Sequence, residues 1–210
     1  MITVYSLAAF RPEVKGIIRD IRTVWTLEEL GLPYERKVMD AMQREHKQPD
    51  FLAINPFGKV PAIKDGDFTL FESAAICAYL GDKTQKLIPK PATRERALYD
   101  QWVSFTTSTL EPNAFRVFGC DFFQEKSEAV AKLRAEACAT IDGMFGVLDT
   151  RLANMPYLLG EHFTLADVLL SSVVRSVEHT ELAAKHASFK AYLDRNYARP
   201  AFLRAYENNG

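Results

Sequence analysis

The sequence NPFGKVPAIKDGDFTLFES, at residues 55–73, predicts a β-hairpin that leads into a helix. Its first half is a turn followed by a short apolar run. Because proline cannot donate to a sheet ladder, Pro61 belongs among the first residues of a strand or on a sheet edge. The pair Asp65–Gly66 is a strong hairpin signal, and Phe68–Phe71 is predicted to be the returning strand. Ser73 then stands where that strand ends and an apolar helix begins.

The ends of this hairpin predict a place that can hold a peptide-like anion. If the Val60–Pro61 bond is cis, the N–H and C=O groups of Val60 turn outward and can pair with the main chain of a bound peptide. The helix that starts at Ser73 offers unpaired N–H groups and a partial positive charge, which suit a carboxylate. Glu72 can take an ammonium group. Together these groups fit a zwitterionic amino-acid head joined to a peptide backbone.

Asn55–Leu80 also resembles the glutathione-binding half of the cytosolic glutathione S-transferases, whose pattern is N-P-x-G-K-V-P-A followed by E-S-x-A-I-x-x-Y-L. The resemblance implies that Val60 pairs with the cysteine of glutathione. It further implies that Glu72 and Ser73 hold the γ-glutamyl end and that Lys59 lies near the glycine carboxylate. The alternative is a hairpin and a helix that use good turn residues for stability alone.

Composition places the chain among ordinary globular proteins. It has 210 residues, 48% of them hydrophobic and 25% charged, with a formal net charge of −1. This length suits one large domain or two small ones. The balanced charge gives no electrostatic reason to expect nucleic acid or an anionic membrane as a partner. Since neither a signal peptide nor a transmembrane stretch is recognisable, a cytoplasmic location is expected.

The cysteines and histidines predict neither a disulfide framework nor a metal site. The three cysteines are odd in number and lack C-x-x-C spacing, so buried, inert thiols are expected rather than a nucleophile. The four histidines have no metal-ligand spacing and receive no role. The expected small molecule is therefore glutathione as a co-substrate, without a metal.

The order of strands and helices predicts two domains. The first, residues 1–82, has the order β-α-β followed by β-β-α, which gives a mixed four-stranded sheet of the thioredoxin-like type. Residues 83–93 have the composition of a linker. After them the strand signals stop, and residues 94–210 are predicted to form an all-helical domain.

Within the first domain, we expect a strand at Ile2–Leu7, a loop from Ala8 to Gly16, a helix from about Ile17 to Leu30 that Gly31 caps, and a weak strand at Pro33–Val38. Within the second, the periodicity of apolar residues predicts helices at about 94–119 (bent near Glu111–Pro112), 124–152, 165–177, 189–197 and 200–206.

A capping box is predicted at the start of the most apolar helix. Thr164 is followed three residues later by Asp167, and Phe163 stands where a hydrophobic staple would be. The motif fixes the start of a buried helix whose first N–H groups would otherwise be unpaired. It resembles the capping motif of the helical domain in the same family, where it serves folding rather than catalysis.

The chemistry that the resemblance implies is ionisation of the glutathione thiol near neutral pH. Lowering a thiol pKa of about 8.5 by about two units needs roughly 2.7 kcal/mol of preference for the anion. One well-placed hydrogen bond to a charged group supplies about 1.5–3 kcal/mol, so a single hydroxyl, thiol or cation could suffice. Aligned backwards from Trp25, however, the position of the family's catalytic serine or cysteine falls on Ile18, which cannot stabilise a thiolate. The loop after the first strand is also about nine residues longer than in the family, and long loops are often functional.

Three residues remain candidates for activating the thiol. Tyr5, at the end of the first strand, resembles the tyrosine of the tyrosine-type classes, although it could equally pack in the core. Ser6 points to the opposite face of the strand, so only one of the two can face the site. Arg19 matches an arginine near the start of the first helix in tyrosine-type members, and its charge would lower the thiol pKa further; the alternative is a solvated surface arginine.

The electrophile is expected to bind against the first long helix of the second domain. The spacing of Trp102, Phe105, Thr106 and Thr109 is compatible with one face of that helix, although aromatic residues at such spacing are more often core than pocket.

The sequence therefore predicts a glutathione transferase-like protein that conjugates the glutathione thiolate to a small hydrophobic electrophile, as in detoxification. By resemblance it would be a homodimer. Two alternatives stay open: a binding or scaffold protein of the same fold without turnover, since a fold alone does not establish an activity, and a glutathione-dependent peroxidase or isomerase.

Overall fold

The chain folds into two compact units in a computed structural model that describes residues 1–208. One unit contains Met1–Ile88 together with the C-terminal segment that begins at Arg199, and the other contains Pro89–Ala198. The sequence predicts that the last helix belongs to the helical domain. In the structure it joins the first unit instead, where Phe202 packs its ring on that of Trp25 with centroids 4.7 Å apart.

The first unit is built on a mixed four-stranded sheet, as predicted. Its strands are β1 (Ile2–Leu7), β2 (Tyr34–Met39), β3 (Ala62–Asp65) and β4 (Phe68–Phe71). The strand order is β2-β1-β3-β4, in which β1 and β2 are parallel and the other pairs are antiparallel. Its helices are α1 (Asp20–Leu30), α2 (Pro49–Leu52), α3 (Ser73–Thr84) and, from the C-terminal segment, α9 (Pro200–Glu207).

The hairpin formed by β3 and β4 agrees with the sequence expectation. Asp65 pairs with Phe68, and Gly66 adopts a φ of +67° in the turn between them. The Val60–Pro61 peptide bond is cis, as predicted. Gly31 ends α1 in a left-handed conformation with a φ of +67°, which confirms the predicted glycine cap.

The loop after β1 is partly ordered into a short helix, which the sequence did not predict. Pro12–Val14 form one turn of 3₁₀-helix, and the Val14 side chain is buried. Helix α1 begins at Asp20, three residues later than expected, because the chain passes through further turns after Gly16, whose φ is +70°.

The second unit is all-helical, as predicted, in the part of the chain that the structure describes. Its α-helices are α4 (Arg94–Ser104), α5 (Glu111–Phe122), α6 (Glu128–Leu152), α7 (Leu165–Val174) and α8 (Ala187–Tyr197). Helix α6 starts later than expected because Ser127 caps it: the Ser127 hydroxyl accepts a hydrogen bond from the Val130 N–H at 3.2 Å.

A π-helical turn at Phe105–Leu110 joins α4 to α5. Pro112 explains it, because proline has no N–H and its ring crowds the carbonyl group four residues earlier, that of Ser108. The Glu111 N–H donates to the Thr106 carbonyl, which is the i to i−5 pattern of a π-turn. The bend that the sequence predicted near Glu111–Pro112 therefore takes the form of a widened turn.

Helix α7 begins with the predicted capping box. One carboxylate oxygen of Asp167 accepts from both the N–H and the hydroxyl of Thr164, at 2.8 and 2.9 Å. The other accepts from the Leu158 N–H and the Tyr192 hydroxyl, both at 2.9 Å. Burial raises the pKa of Asp167, and these four donors oppose that rise.

The cysteines are mostly buried. Cys77 and Cys120 are fully buried, while Cys138 is half-buried. Burial raises the pKa of Cys77 to about 11, against a hydrogen bond from the Thr26 hydroxyl at 3.2 Å. Within residues 1–208 we find no helix that is long and apolar enough to cross a membrane.

Candidate functional site

The pairing of the strands brings the predicted binding residues to one end of the sheet. Ala62 lies opposite Phe71 at the last pair of the β3–β4 hairpin, so Val60 and Pro61 leave the hairpin at the same end as Glu72 and Ser73. Tyr5 pairs with the same Ala62 on the other side of β3, so β1 also ends there.

The first turn of α3 has no side-chain cap. Glu72 precedes the helix with a φ of +73°, a conformation that costs energy for a residue with a side chain and that often marks a functional position. Its side chain is exposed, and its carbonyl group accepts the first helical hydrogen bond, from the Ile76 N–H at 2.9 Å. By contrast, Thr93 caps α4 with its hydroxyl. The N–H groups at the start of α3 are therefore available to an anion.

Ser73, the first residue of α3, is hydrogen-bonded to a buried arginine that sequence analysis missed. Nη1 of Arg22 donates to the Ser73 hydroxyl oxygen at 3.1 Å, and the two residues are only 2% and 5% exposed. Because α1 and α3 pack side by side, Arg22 lies behind the helix start. The contact joins residues 51 positions apart, so no local motif could have revealed it.

The turn before Val60 is held by its own hydrogen bonds. Nδ2 of Asn55 donates to the Lys59 carbonyl at 2.7 Å, and Nζ of Lys47 donates to the carbonyl oxygens of Phe57 and Gly58. Gly58 has a φ of +56°, and a Cβ there would lie 2.7 Å from the His46 carbonyl oxygen, so this position requires glycine.

The main chain of Val60 stays outside the sheet ladder. Strand β3 begins only at Ala62, and within residues 1–208 neither the N–H nor the C=O of Val60 has a backbone hydrogen-bond partner. The Val60 side chain packs against a cluster of Tyr5, Met39, Phe51 and Ala62. The packing of its side chain thus holds Val60 in place, while its backbone N–H and C=O are open to pairing with an extended peptide.

A second missed feature is a group of basic residues beside Lys59. Burial and the positive charges of Lys47, Lys59 and Arg44 lower the pKa of His46 from its ordinary value of 6.5. Nδ1 of His46 is buried without a hydrogen-bond partner in the described chain. Lys47, Lys59 and Arg44 therefore lie near the His46 ring, and such a group of basic side chains suits a carboxylate. The sequence showed these residues only as a polar stretch.

The three candidates for thiol activation lie in different environments. The Tyr5 ring packs against Phe51 of α2 with centroids 5.5 Å apart and is 7% exposed. Ser6 is fully buried on the other face of the sheet, where its hydroxyl accepts from Nε of Arg36 at 3.3 Å. Arg19 is exposed at the N-cap of α1, one helical turn before Arg22.

In the second unit, Trp102 and Phe105 line an apolar cavity of about 260 Å³ together with Met144, Val147 and Leu148 of α6. The two rings meet edge to face, with centroids 5.7 Å apart. Of the four residues predicted to share one face, only these two line the cavity.

Thr106 is fully buried and Thr109 is exposed, and neither lines the cavity. An α-helix with 3.6 residues per turn would place both threonines on the same face as Trp102 and Phe105. Since the π-turn starts at Phe105 and holds more residues per turn, the residues after it are displaced from the expected face.

The described chain contains no group of three or more histidine, cysteine, aspartate or glutamate side chains placed to hold a metal ion.

Comparison with known proteins agrees with this architecture. The N-terminal domain of the glutathione S-transferases matches residues 15–82, and the C-terminal domain of the same family matches residues 107–200. Glutathione S-transferase 3 of Zea mays is 35% identical over 195 residues, which cover 88% of this chain and 86% of the maize protein.

Two solved structures are also similar. A glutathione transferase family member from Pseudomonas fluorescens, solved with two glutathione bound, is 29% identical with a TM-score of 0.87 and covers 98% of this chain and 92% of its own. A glutathione transferase from Burkholderia graminis, solved with two glutathione molecules bound per subunit, is 31% identical with a TM-score of 0.86. The match covers 98% of this chain and 87% of the Burkholderia chain.

The fold and the site thus define a protein with a thioredoxin-like unit that can receive a peptide anion and an all-helical unit that follows it in the chain. The chain belongs to the glutathione S-transferase family.

Proposed function

We propose that the protein is a glutathione transferase that joins the glutathione thiolate to a small hydrophobic electrophile. One observation carries this proposal: the open backbone of Val60, the uncapped start of α3 and the basic group around Lys59 all belong to one end of the sheet. Glutathione has a main-chain amide flanked by two carboxylates, and this arrangement offers a partner to each.

Each part of glutathione has a matching group. The γ-glutamyl carboxylate meets the N–H groups and hydroxyl of Ser73, while its ammonium meets the exposed carboxylate of Glu72. The cysteinyl main chain pairs with Val60, which Pro61 holds in place. The glycine carboxylate meets Lys59 and its basic neighbours.

Arg19 is the candidate that we favour for thiol activation. It is an exposed, charged side chain, whereas the Tyr5 ring packs against Phe51 and the Ser6 hydroxyl lies on the other face of the sheet beside Arg36. Arg19 also shares a helix face with Arg22, which contacts Ser73, because residues three apart are neighbours on a helix. A guanidinium beside the sulfur favours the thiolate and lowers the thiol pKa. Tyr5 and Ser6 stay as alternatives.

For the electrophile, we propose the apolar cavity beside Trp102 and Phe105. Two aromatic rings and three aliphatic or thioether side chains give it the lining that hydrophobic small molecules prefer. Thr106 and Thr109 have no part in this proposal.

We further propose that two copies of the chain form a homodimer in the cytoplasm. Several large apolar side chains are exposed, among them Phe57 at 66% and Phe68 at 45%. Such surface is stabilised when a second copy covers it.

A second candidate function is glutathione binding without conjugation, or peroxidase or isomerase chemistry with glutathione. Ile18 supports it, because this apolar side chain stands where the family's serine or cysteine is expected.

The test is a conjugation assay at a pH near 7 with glutathione and a panel of aryl halides, epoxides and enones, run in parallel with hydroperoxide and disulfide substrates. Conjugation rates well above those of free glutathione support the proposal. Rates equal to those of free glutathione across the whole panel, despite saturable glutathione binding, would favour the second candidate.

A further inference from the structure

We propose that Arg22 is a positioning residue that makes Ser73 selective for ligands with a free α-carboxylate on the γ-glutamyl end. The inference rests on the proposed glutathione site and goes beyond it, because Arg22 is too deeply buried to be a surface contact for a peptide. It acts on the ligand through the hydroxyl group of Ser73.

The direction of the Arg22–Ser73 hydrogen bond follows from the chemistry of the two groups. A guanidinium group has only donors, so the Ser73 oxygen must accept, and the contact at 3.1 Å occupies one of its two lone pairs. The Ser73 hydroxyl retains one proton, for which residues 1–208 provide no acceptor. Since Arg22 can only donate to this oxygen, the hydroxyl proton remains for a ligand to accept.

The surroundings of the hydroxyl make this proton a ligand-binding group. Ser73 is 95% buried and opens the uncapped turn of α3, so its hydroxyl and the first N–H groups of the helix face the same anion. A carboxylate that bridges them receives at least two hydrogen bonds, and hydrogen bonds to charged groups are stronger than neutral ones.

The start of α3 adds to the same effect, because that end of the helix carries the positive pole of the helix dipole. A ligand that keeps the ammonium group but lacks the carboxylate gains nothing from it.

The experiment compares two ligands. One is glutathione, and the other is 4-aminobutyryl-cysteinyl-glycine, which lacks only the γ-glutamyl α-carboxylate. Binding constants are measured by calorimetry for the wild-type protein and for the variants Ser73→Ala, Arg22→Lys and the double variant. Arg22→Lys keeps the charge but not the planar donor group.

We expect the wild-type protein to prefer glutathione over the analogue by about tenfold or more, as for a hydrogen-bonded charge. Ser73→Ala and Arg22→Lys should each reduce this ratio about fivefold or more while leaving the affinity for the analogue within about twofold. Because both residues act through the same hydroxyl, the double variant should lose little more than either single variant.

Arg36→Lys is the matched control, since Arg36 is a largely buried arginine that also donates to a serine hydroxyl, that of Ser6. It should keep the wild-type ratio. If Arg22→Lys weakens both ligands equally, or leaves the ratio unchanged in a folded protein, the inference is wrong.

If Arg22→Lys does not fold, the wild-type protein still provides a test. The guanidinium NMR signals of Arg22 should shift when glutathione binds and much less when the analogue binds. Equal shifts would contradict the inference. Failure of the wild-type protein to bind glutathione at all would instead overturn the proposed function.

Discussion

Arg199 forms a bidentate ion pair with Glu29, a residue 170 positions earlier in the chain. Nε of Arg199 lies 2.6 Å from Oε1 of Glu29, and Nη2 lies 2.7 Å from Oε2. The indole N–H of Trp25 donates to the same carboxylate at 2.9 Å. This contact ties the start of α9 to α1, so the C-terminal helix is part of the thioredoxin-like unit.

Removing the Arg199 side chain should destabilise the protein. Glu29 is 7% exposed at its side chain and Arg199 is 28% exposed, so Arg199→Ala leaves a nearly buried carboxylate without its cation. We expect a loss of about 2–3 kcal/mol in the free energy of unfolding, below the full cost for a completely buried pair. Denaturant unfolding measures it.

Arg204→Ala is the control for this pair. Arg204 also forms an ion pair with α1, through Glu28, but its side chain is 52% exposed. It should change the unfolding free energy by less than about 1 kcal/mol. Equal effects of the two variants would contradict the role given to Arg199.

Thr164→Ala should destabilise the second unit. The substitution removes the hydroxyl that donates to Asp167 at 2.9 Å and disrupts the capping box of a buried helix. We expect a loss of about 1 kcal/mol or somewhat more in unfolding free energy. Thr164→Ser keeps the hydroxyl and should lose much less; a similar loss would point to the methyl group instead of the cap.

The pKa of His46 should rise when glutathione binds. In the free protein, burial and the nearby charges of Lys47, Lys59 and Arg44 lower it below 6.5. A carboxylate bound to these lysines would offset their positive potential and favour the imidazolium form. By linkage, glutathione affinity should then increase as the pH falls through this range.

The measurement is an NMR titration of the His46 ring, assigned with the variant His46→Gln, with and without glutathione. An unchanged pKa in the saturated complex would show that the glycine carboxylate does not bind beside this group. In the free protein, the lowered pKa of His46 destabilises the fold at low pH, which is the opposite of the effect of a stabilising ion pair. The unfolded chain binds the proton at a higher pH than the folded chain does. The free energy of unfolding therefore decreases as the pH falls below about 6.5.

Arg19→Met should raise the pKa of the bound glutathione thiol by about one unit, because it removes a positive charge beside the sulfur without shortening the side chain much. Tyr5→Phe and Ser6→Ala serve as comparisons, and neither should change the thiol pKa, since the Tyr5 ring packs against Phe51 and the Ser6 hydroxyl already accepts from Arg36. An increase with Tyr5→Phe and none with Arg19→Met would assign the role to Tyr5. The thiolate absorbance of each complex against pH provides the measurement.

Local sequence patterns predicted much of the first unit. The Asp65–Gly66 turn, the Gly31 cap and the extent of β1 all depend on residues near one another in the chain, and the structure confirms them. The Thr164–Asp167 capping box is equally local and equally confirmed.

Features that depend on distant contacts could not be predicted in this way. The place of α9 depends on Arg199 meeting Glu29, and the support of Ser73 depends on Arg22. Neither pair has a local sequence signal. The π-turn had one, Pro112, but a proline inside a helical pattern indicates a disturbance without saying whether the helix breaks, kinks or widens.

An ultraviolet titration of the thiolate in the wild-type complex tests most directly whether the site activates the thiol of bound glutathione. A thiol pKa at least about one unit below the free value of about 8.5 is the predicted result. Saturable binding of glutathione with an unshifted thiol pKa would contradict such activation and leave a protein that holds the ligand without activating it.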